Sequence, residues 1–309
     1  MVHLDPFIVL GSAIVGLLVG MTGAGGGALM TPMLILLFSV KPSTAISSDL
    51  VAAVLMRPLG AAVHLRAGTV NLKLVRWMVL GSAPAAFAGA YLLKLMGHGH
   101  SAQTNIETAL GIALLVGAAG MAIRFGLDQR AGTARITHAA SIRVQPLPTV
   151  VVGAVGGLIV GITSVGSGSL MIVFLLFLYP AIGAKQLVGT DLTQAVPLTL
   201  AAAIGALVFG HVEIGITTSL VIGSVPAVVV GSLLSSRVPD RYVRPVIALV
   251  ILASGLKYVG VATDVLGWVV LAGVLALAAV WLAPVSPWRL GRLTARAQGQ
   301  VAAETSPPS

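Results

Sequence analysis

Two short glycine-rich stretches limit what this chain can become: Gly20-Met-Thr-Gly-Ala-Gly-Gly-Gly-Ala-Leu-Met30 and Gly161-Ile-Thr-Ser-Val-Gly-Ser-Gly-Ser-Leu-Met171. Each separates two apolar runs, Phe7 to Val19 from Ala28 to Val40, and Val150 to Val160 from Leu170 to Tyr179. At 1.5 Å per helical residue, runs of roughly 13 residues reach about two-thirds of the way through a hydrocarbon layer of ~30 Å. Each pair therefore reads as a broken helix or a re-entrant hairpin. Glycine and small hydroxyl residues let the backbone leave helical geometry and expose N–H groups, and the helix that restarts points its positive end at the gap. Matched short, glycine-interrupted segments in two halves of a chain point to a transporter's substrate site.

Composition makes the membrane unavoidable. Hydrophobic residues are 57% of the chain and charged residues 9%, against roughly 25% charged in soluble domains. Runs such as Trp77 to Leu93 and Val265 to Ala283 carry no charge. The 37 glycines suit close helix packing in lipid. A net charge of +9 would suit nucleic acid, but the basic residues sit between apolar spans, where the positive-inside rule accounts for them. Nucleic acid is therefore not an expected partner. With no cysteine there is no disulfide, thiolate site or redox centre to seek. Met1-Val-His-Leu-Asp-Pro lacks the basic start and cleavage site of a secretory signal, so Phe7 onward is expected to be a retained first membrane segment.

The expected fold class is all-α: a polytopic helical membrane protein with two inverted-topology repeats, each holding a broken or re-entrant pair, plus one extra C-terminal span. Spans follow the first pair near 45–65, 74–95 and 106–125, and the second near 187–209, 214–234 and 243–261. The extra span falls near 265–283. Counting each broken pair as two crossings gives about 11 spans. The duplication is visible in residues: Gly81-Ser-Ala-Pro-Ala with Gly89 matches Gly223-Ser-Val-Pro-Ala with Gly231, and Ser48-Asp-Leu matches Thr190-Asp-Leu. The expected divisions are a first repeat over 1–125, a basic linker over 126–147, a second repeat over 148–261, the extra span over 262–284 and a basic, disordered tail over 285–309. Arg66, Lys73 and Arg76 mark one cytoplasmic loop, Arg124, Arg130, Arg135 and Arg143 the central one, and Arg237, Arg241 and Arg244 a third. These place the N-terminus outside and the C-terminus inside, and invert one half relative to the other.

Arg57 stands out among the candidate site residues. It lies near mid-span, ~14 Å along the helix from the basic end, where an arginine costs about 2.5 to 3.5 kcal/mol. It faces an anion, or it pairs with Asp49 or with a carbonyl freed by Pro58. His64 is seven residues on, on the same face, and is either a proton relay or an interfacial residue. Asp49 and Asp191 hold equivalent places, preceded by Ser48 and Thr190. Capping a helix start is their simpler reading, and a coupling carboxylate the functional one. Thr190, Thr193 and Gln194 are neutral donors for an oxyanion where the first half offers Arg57. The breaks supply the remaining substrate contacts: Thr22, Gly23, Gly25, Gly26 and Gly27 in the first, and Thr163, Ser164, Gly166, Ser167, Gly168 and Ser169 in the second.

Two patterns point elsewhere and fail on context. Gly23-Ala-Gly25-Gly-Gly-Ala28, with Asp49 about 20 residues on, fits a dinucleotide-binding fingerprint. That motif needs a strand and a soluble doubly wound domain, whereas both flanks here continue as membrane segments. His98-Gly-His100 with His211 is a polar loop pattern rather than a metal site. The expectation is no enzyme, no cofactor and no metal.

The two breaks, Pro32, Pro84 and Pro226, the hairpin patterns Gly68-Thr-Val-Asn71 and Gly210-His-Val-Glu213, and the glycine-rich final spans together resemble the TauE/SafE family of membrane transporters. The resemblance covers residues 7 to 261. The second break departs from the pattern, reading Gly-Ser-Gly-Ser where a fuller glycine run is usual. The resemblance implies a permease for small sulfur-containing anions, sulfite or organosulfonates, in the cytoplasmic membrane, working as an exporter. An anion channel, or an uptake permease for a different small anion, is the alternative. Expected partners are the small anion and the lipid bilayer, with room for a homo-oligomer.

Overall fold

The computed structural model describes residues 4–22, 26–96, 100–130, 144–166, 168, 170–180, 182–234 and 240–282. Eleven helices occupy them: α1 (Pro6–Thr22), α2 (Gly27–Phe38), α3 (Pro42–Arg66), α4 (Leu72–Leu95), α5 (His100–Arg130), α6 (Pro146–Thr163), α7 (Leu170–Leu178), α8 (Ala184–Phe209), α9 (Ile214–Leu234), α10 (Asp240–Tyr258) and α11 (Thr263–Leu282). No described residue lies in a strand. Six helices are long and apolar enough to cross a membrane: α3, α4, α6, α8 and α9, and α5 over Ala102–Ala122. Both glycine-rich stretches do interrupt helices, between α1 and α2 and between α6 and α7. Most of the basic central loop, the basic tail, His98, Gly23, Gly25, Ser167 and Ser169 lie outside the described residues. One compact unit ends at Gly267 and a second begins at Trp268, within α11.

The polar and apolar residues are distributed as lipid requires. Large apolar side chains such as Phe7, Leu37, Leu80, Phe177 and Leu233 are exposed, while Ser12, Thr31, Asp49, Ser82, Thr190, Asp191 and Gln194 are fully or almost fully buried. In hydrocarbon a polar group must find its partner within the protein. Several hydroxyls do so on their own helix, as Thr193 does with the Gly189 carbonyl at 2.7 Å and Ser224 with that of Leu220 at 2.6 Å.

The two parts of the chain interlace. α1 packs along α9, and α6 along α4. The matched glycines sit at these crossings: a Cβ on Gly89 would lie 2.9 Å from the Cα of Gly161, and one on Gly231 3.1 Å from that of Gly20. Small residues let helix backbones approach closely where no hydrophobic drive exists between helices. α3 and α8, the two helices with buried aspartates, pack on each other and carry a second pair of matched contacts. The Asn71 N–H donates to Thr190 Oγ1 at 3.1 Å, and the Glu213 N–H to Ser48 Oγ at 3.2 Å. Ser48 and Thr190, matched in sequence, thus accept matched backbone bonds from Glu213 and Asn71.

Candidate functional site

The site is built where the two breaks meet. α1 ends at Thr22, whose hydroxyl donates to the Leu18 carbonyl at 2.7 Å. α2 restarts at Gly27 after Gly26, which provides no side-chain cap. α6 ends at Thr163 because Ser164 turns left-handed, with φ 59°, and Gly166 and Gly168 follow at φ 128° and 100°. A left-handed residue ends a helix by turning its carbonyls away from the ladder, and it is uncommon outside glycine. Gly27 packs directly on Ser164, so closely that a Cβ there would overlap the Ser164 carbonyl.

Asp49 joins the two breaks. Its Oδ2 accepts from Thr31 Oγ1 of α2 at 2.8 Å and from Ser164 Oγ of the second break at 2.8 Å. Its Oδ1 is buried without a hydrogen-bond partner. Neither aspartate caps its helix, which corrects the capping expectation. α3 begins earlier, at Pro42 with Lys41 as N-cap, and α8 at Ala184 with Gly183 as N-cap. Pro42 suits a first helical turn because it has no N–H to leave unpaired. Asp49 and Asp191 are therefore helix-interior side chains, 0% and 1% exposed.

Arg57 is two turns beyond Asp49 on α3 and 8% exposed, and its Nε has no hydrogen-bond partner. It lies in the field of Asp191 first and Asp49 second. Among the described residues, the hydrogen bonds of Asp49 go to hydroxyls, and Arg57 acts on it through its charge. On α8, Gln194 Nε2 donates to Asp191 Oδ1 at 3.2 Å and accepts through Oε1 from Ser82 Oγ at 3.2 Å. Thr190 faces the Asn71 backbone and Thr193 its own helix. His64 lies in the last turn of α3, with Nδ1 3.0 Å from Thr69 Oγ1.

Of the expected site residues, the structure gathers Gly27, Asp49 and Ser164 into direct contact, with Arg57 and Asp191 linked to them by charge. Thr31 and Ser82 were not anticipated. Thr31 had a signal, being the one polar side chain in the otherwise apolar α2. Among the described residues no group of three or more histidines, aspartates or glutamates is placed to hold a metal.

The whole bundle up to α10 falls within one recognised family. The model for the sulfite exporter TauE/SafE family matches residues 8–258. The chain belongs to the TauE/SafE family. It is 39% identical over 253 residues to the probable membrane transporter protein YjnA of Bacillus subtilis (strain 168), covering 82% of this chain and 98% of that one. It is 24% identical over 251 residues to the probable membrane transporter protein YdhB of the same organism, covering 81% and 98%. No solved structure matches. As a TauE/SafE protein the chain is a multi-pass membrane transporter, and the helical, apolar-surfaced bundle agrees with that. The residues matched by the family model include both breaks, Asp49, Arg57 and Asp191.

Proposed function

We propose that this TauE/SafE protein is a secondary carrier that moves a small sulfur-containing anion, sulfite or an organosulfonate, across the cytoplasmic membrane, exporting it by alternating access. One observation carries the reading: Arg57, buried at mid-helix and in the field of Asp191 and Asp49, has an Nε–H with no acceptor. A buried guanidinium N–H without a partner is costly, and an oxyanion supplies the acceptor it lacks. α2 restarts against the second break, where Gly27 packs on Ser164, and the positive end of that helix favours an anion there.

The matched contacts between copies support a two-state device, since equivalent halves can exchange their packings. The halves are inverted, with the N-terminus outside and the C-terminus inside, as the basic loops of the sequence ask. A negative-inside potential favours outward movement of an anion by about 2.3 kcal/mol per charge per 100 mV. The chain acts as a permease and not as an enzyme.

The test is flux into liposomes holding the purified protein, with sulfite, sulfate, thiosulfate and methanesulfonate as probes. Saturable flux of sulfite or methanesulfonate, stimulated by the same anion on the far side and lost in Arg57→Ala, is the expected result. Unchanged flux in that variant overturns the Arg57 assignment. Flux that never saturates and shows no counter-stimulation means a channel.

A further inference from the structure

The charges of the site do not balance for an anion. One cation, Arg57, lies in the field of two carboxylates, Asp191 and Asp49. With both carboxylates ionised the cluster is already net negative. An anion bound at Arg57 then adds a further negative charge to a region whose polar side chains are fully or almost fully buried. Separating like charges from water is expensive, and a buried group escapes by changing its protonation.

The other charged groups nearby do not relieve this. Among the described residues, α2 and the second break offer Asp49 the hydroxyls of Thr31 and Ser164. α9 carries no ionisable residue, and Glu213 before it meets α3 through its backbone N–H on Ser48. On α5 the described Glu107 acts on Tyr258. His64, on α3 itself, is tied to Thr69. On α8, Asp191 already has an amide donor on Oδ1, from Gln194. Among the described residues, Asp49 Oδ1 is the carboxylate oxygen that is buried without a hydrogen-bond partner.

We propose that Asp49 takes up one proton on Oδ1 when an anion occupies Arg57, so that the carrier moves anion and proton together. The inference rests on the carrier reading above and deepens it by naming the coupling ion. The proton comes from the aqueous side on which the anion enters. The Oδ1–H then donates to the anion, as the Arg57 Nε–H does, and both partnerless atoms of α3 are satisfied by one ligand. Oδ2 keeps its two hydroxyl donors throughout. Anion and proton leave together on the far side. A monoanion is therefore carried without net charge, so the potential that favours the exit of an uncoupled anion does not act on it, and export requires an outward anion gradient larger than any inward proton gradient.

The probe is methanesulfonate, which does not titrate near neutrality, added to the purified full chain in lipid nanodiscs. Calorimetric titration in buffers of different ionisation enthalpy counts the protons exchanged. The expected result is uptake of about one proton per methanesulfonate, with affinity falling about tenfold per pH unit once Asp49 is deprotonated in the empty site. Asp49→Asn, a neutral mimic of the protonated acid, should bind with no proton uptake and no pH slope. Binding by the unaltered protein without proton uptake overturns this inference and leaves the carrier intact. Absence of binding by sulfite, sulfate, thiosulfate and methanesulfonate alike overturns the carrier reading and this inference with it. The pH slope of the unaltered protein decides the matter even where the Asn variant does not fold.

Discussion

Ser164 Oγ donates to Asp49 Oδ2 at 2.8 Å, joining the second helix break to α3 across 115 residues. Thr31 makes the equivalent bond from the first break's helix at 2.8 Å. One carboxylate oxygen thus ties together three segments of chain.

Ser164→Ala and Thr31→Ala should each cost about 1.5 to 3 kcal/mol, the range for hydrogen bonds to a charged acceptor. The double variant should cost more than the sum, because the second removal leaves Oδ2 as bare as Oδ1. Thermal unfolding of the three variants in detergent checks this. Simple additivity would mean that each hydroxyl is replaced independently by water.

Gly27→Ala should fail at the junction, since its Cβ falls on a backbone carbonyl that has no flexible end to move. Overpacking costs about 1 to 3 kcal/mol where a core can adjust, and here the adjustment must separate the breaks. Gly267→Ala, with nothing within 4 Å of its Cβ, is the control and should stay within about 1 kcal/mol on the stabilising side. Unfolding and flux measured together separate damage to the fold from damage to transport.

Ser48→Ala and Thr190→Val remove the acceptors of the matched Glu213 and Asn71 N–H groups. Each should cost about 0.5 to 1.5 kcal/mol, by similar amounts. The double variant should add to within about 0.5 kcal/mol, which chemical unfolding of single and double variants reads directly.

Arg57→Lys keeps the charge but loses the Nε–H and the planar fork. Flux of methanesulfonate should fall at least about tenfold, a loss of about 1.4 kcal/mol in binding, and remain above that of Arg57→Ala. Equal flux in the Lys and Arg proteins would mean that only the charge matters.

The breaks were legible in the sequence because short apolar runs flanking glycine leave few alternatives in a membrane. Arg57 was legible because a mid-span cation is costly in lipid and must face a partner or a ligand. The role of Asp49 was not. Ser48-Asp-Leu looks like a helix start, and only Pro42 and Gly183 show that the helices begin two turns earlier. Its partners were hidden for a different reason. Thr31 is 18 residues away and Ser164 is 115, and the Ser82–Gln194 bond spans 112. Such distant pairs carry no periodic signal along the chain.

The packing of α1 on α9 sets an order of assembly. A chain synthesised from its N-terminus delivers Pro6–Thr22 to the membrane long before Ile214–Leu234 exists. During that interval Gly16 and Gly20 lack the Ser224 and Val228 backbone they finally touch, and α1 must wait against lipid or a chaperoning insertase. α6, by contrast, emerges to find α4 already in place. Seating of α1 therefore waits for the much later α9, and a ribosome that stalls after α8 leaves a chain that has its charged site but not the helix that seats α1.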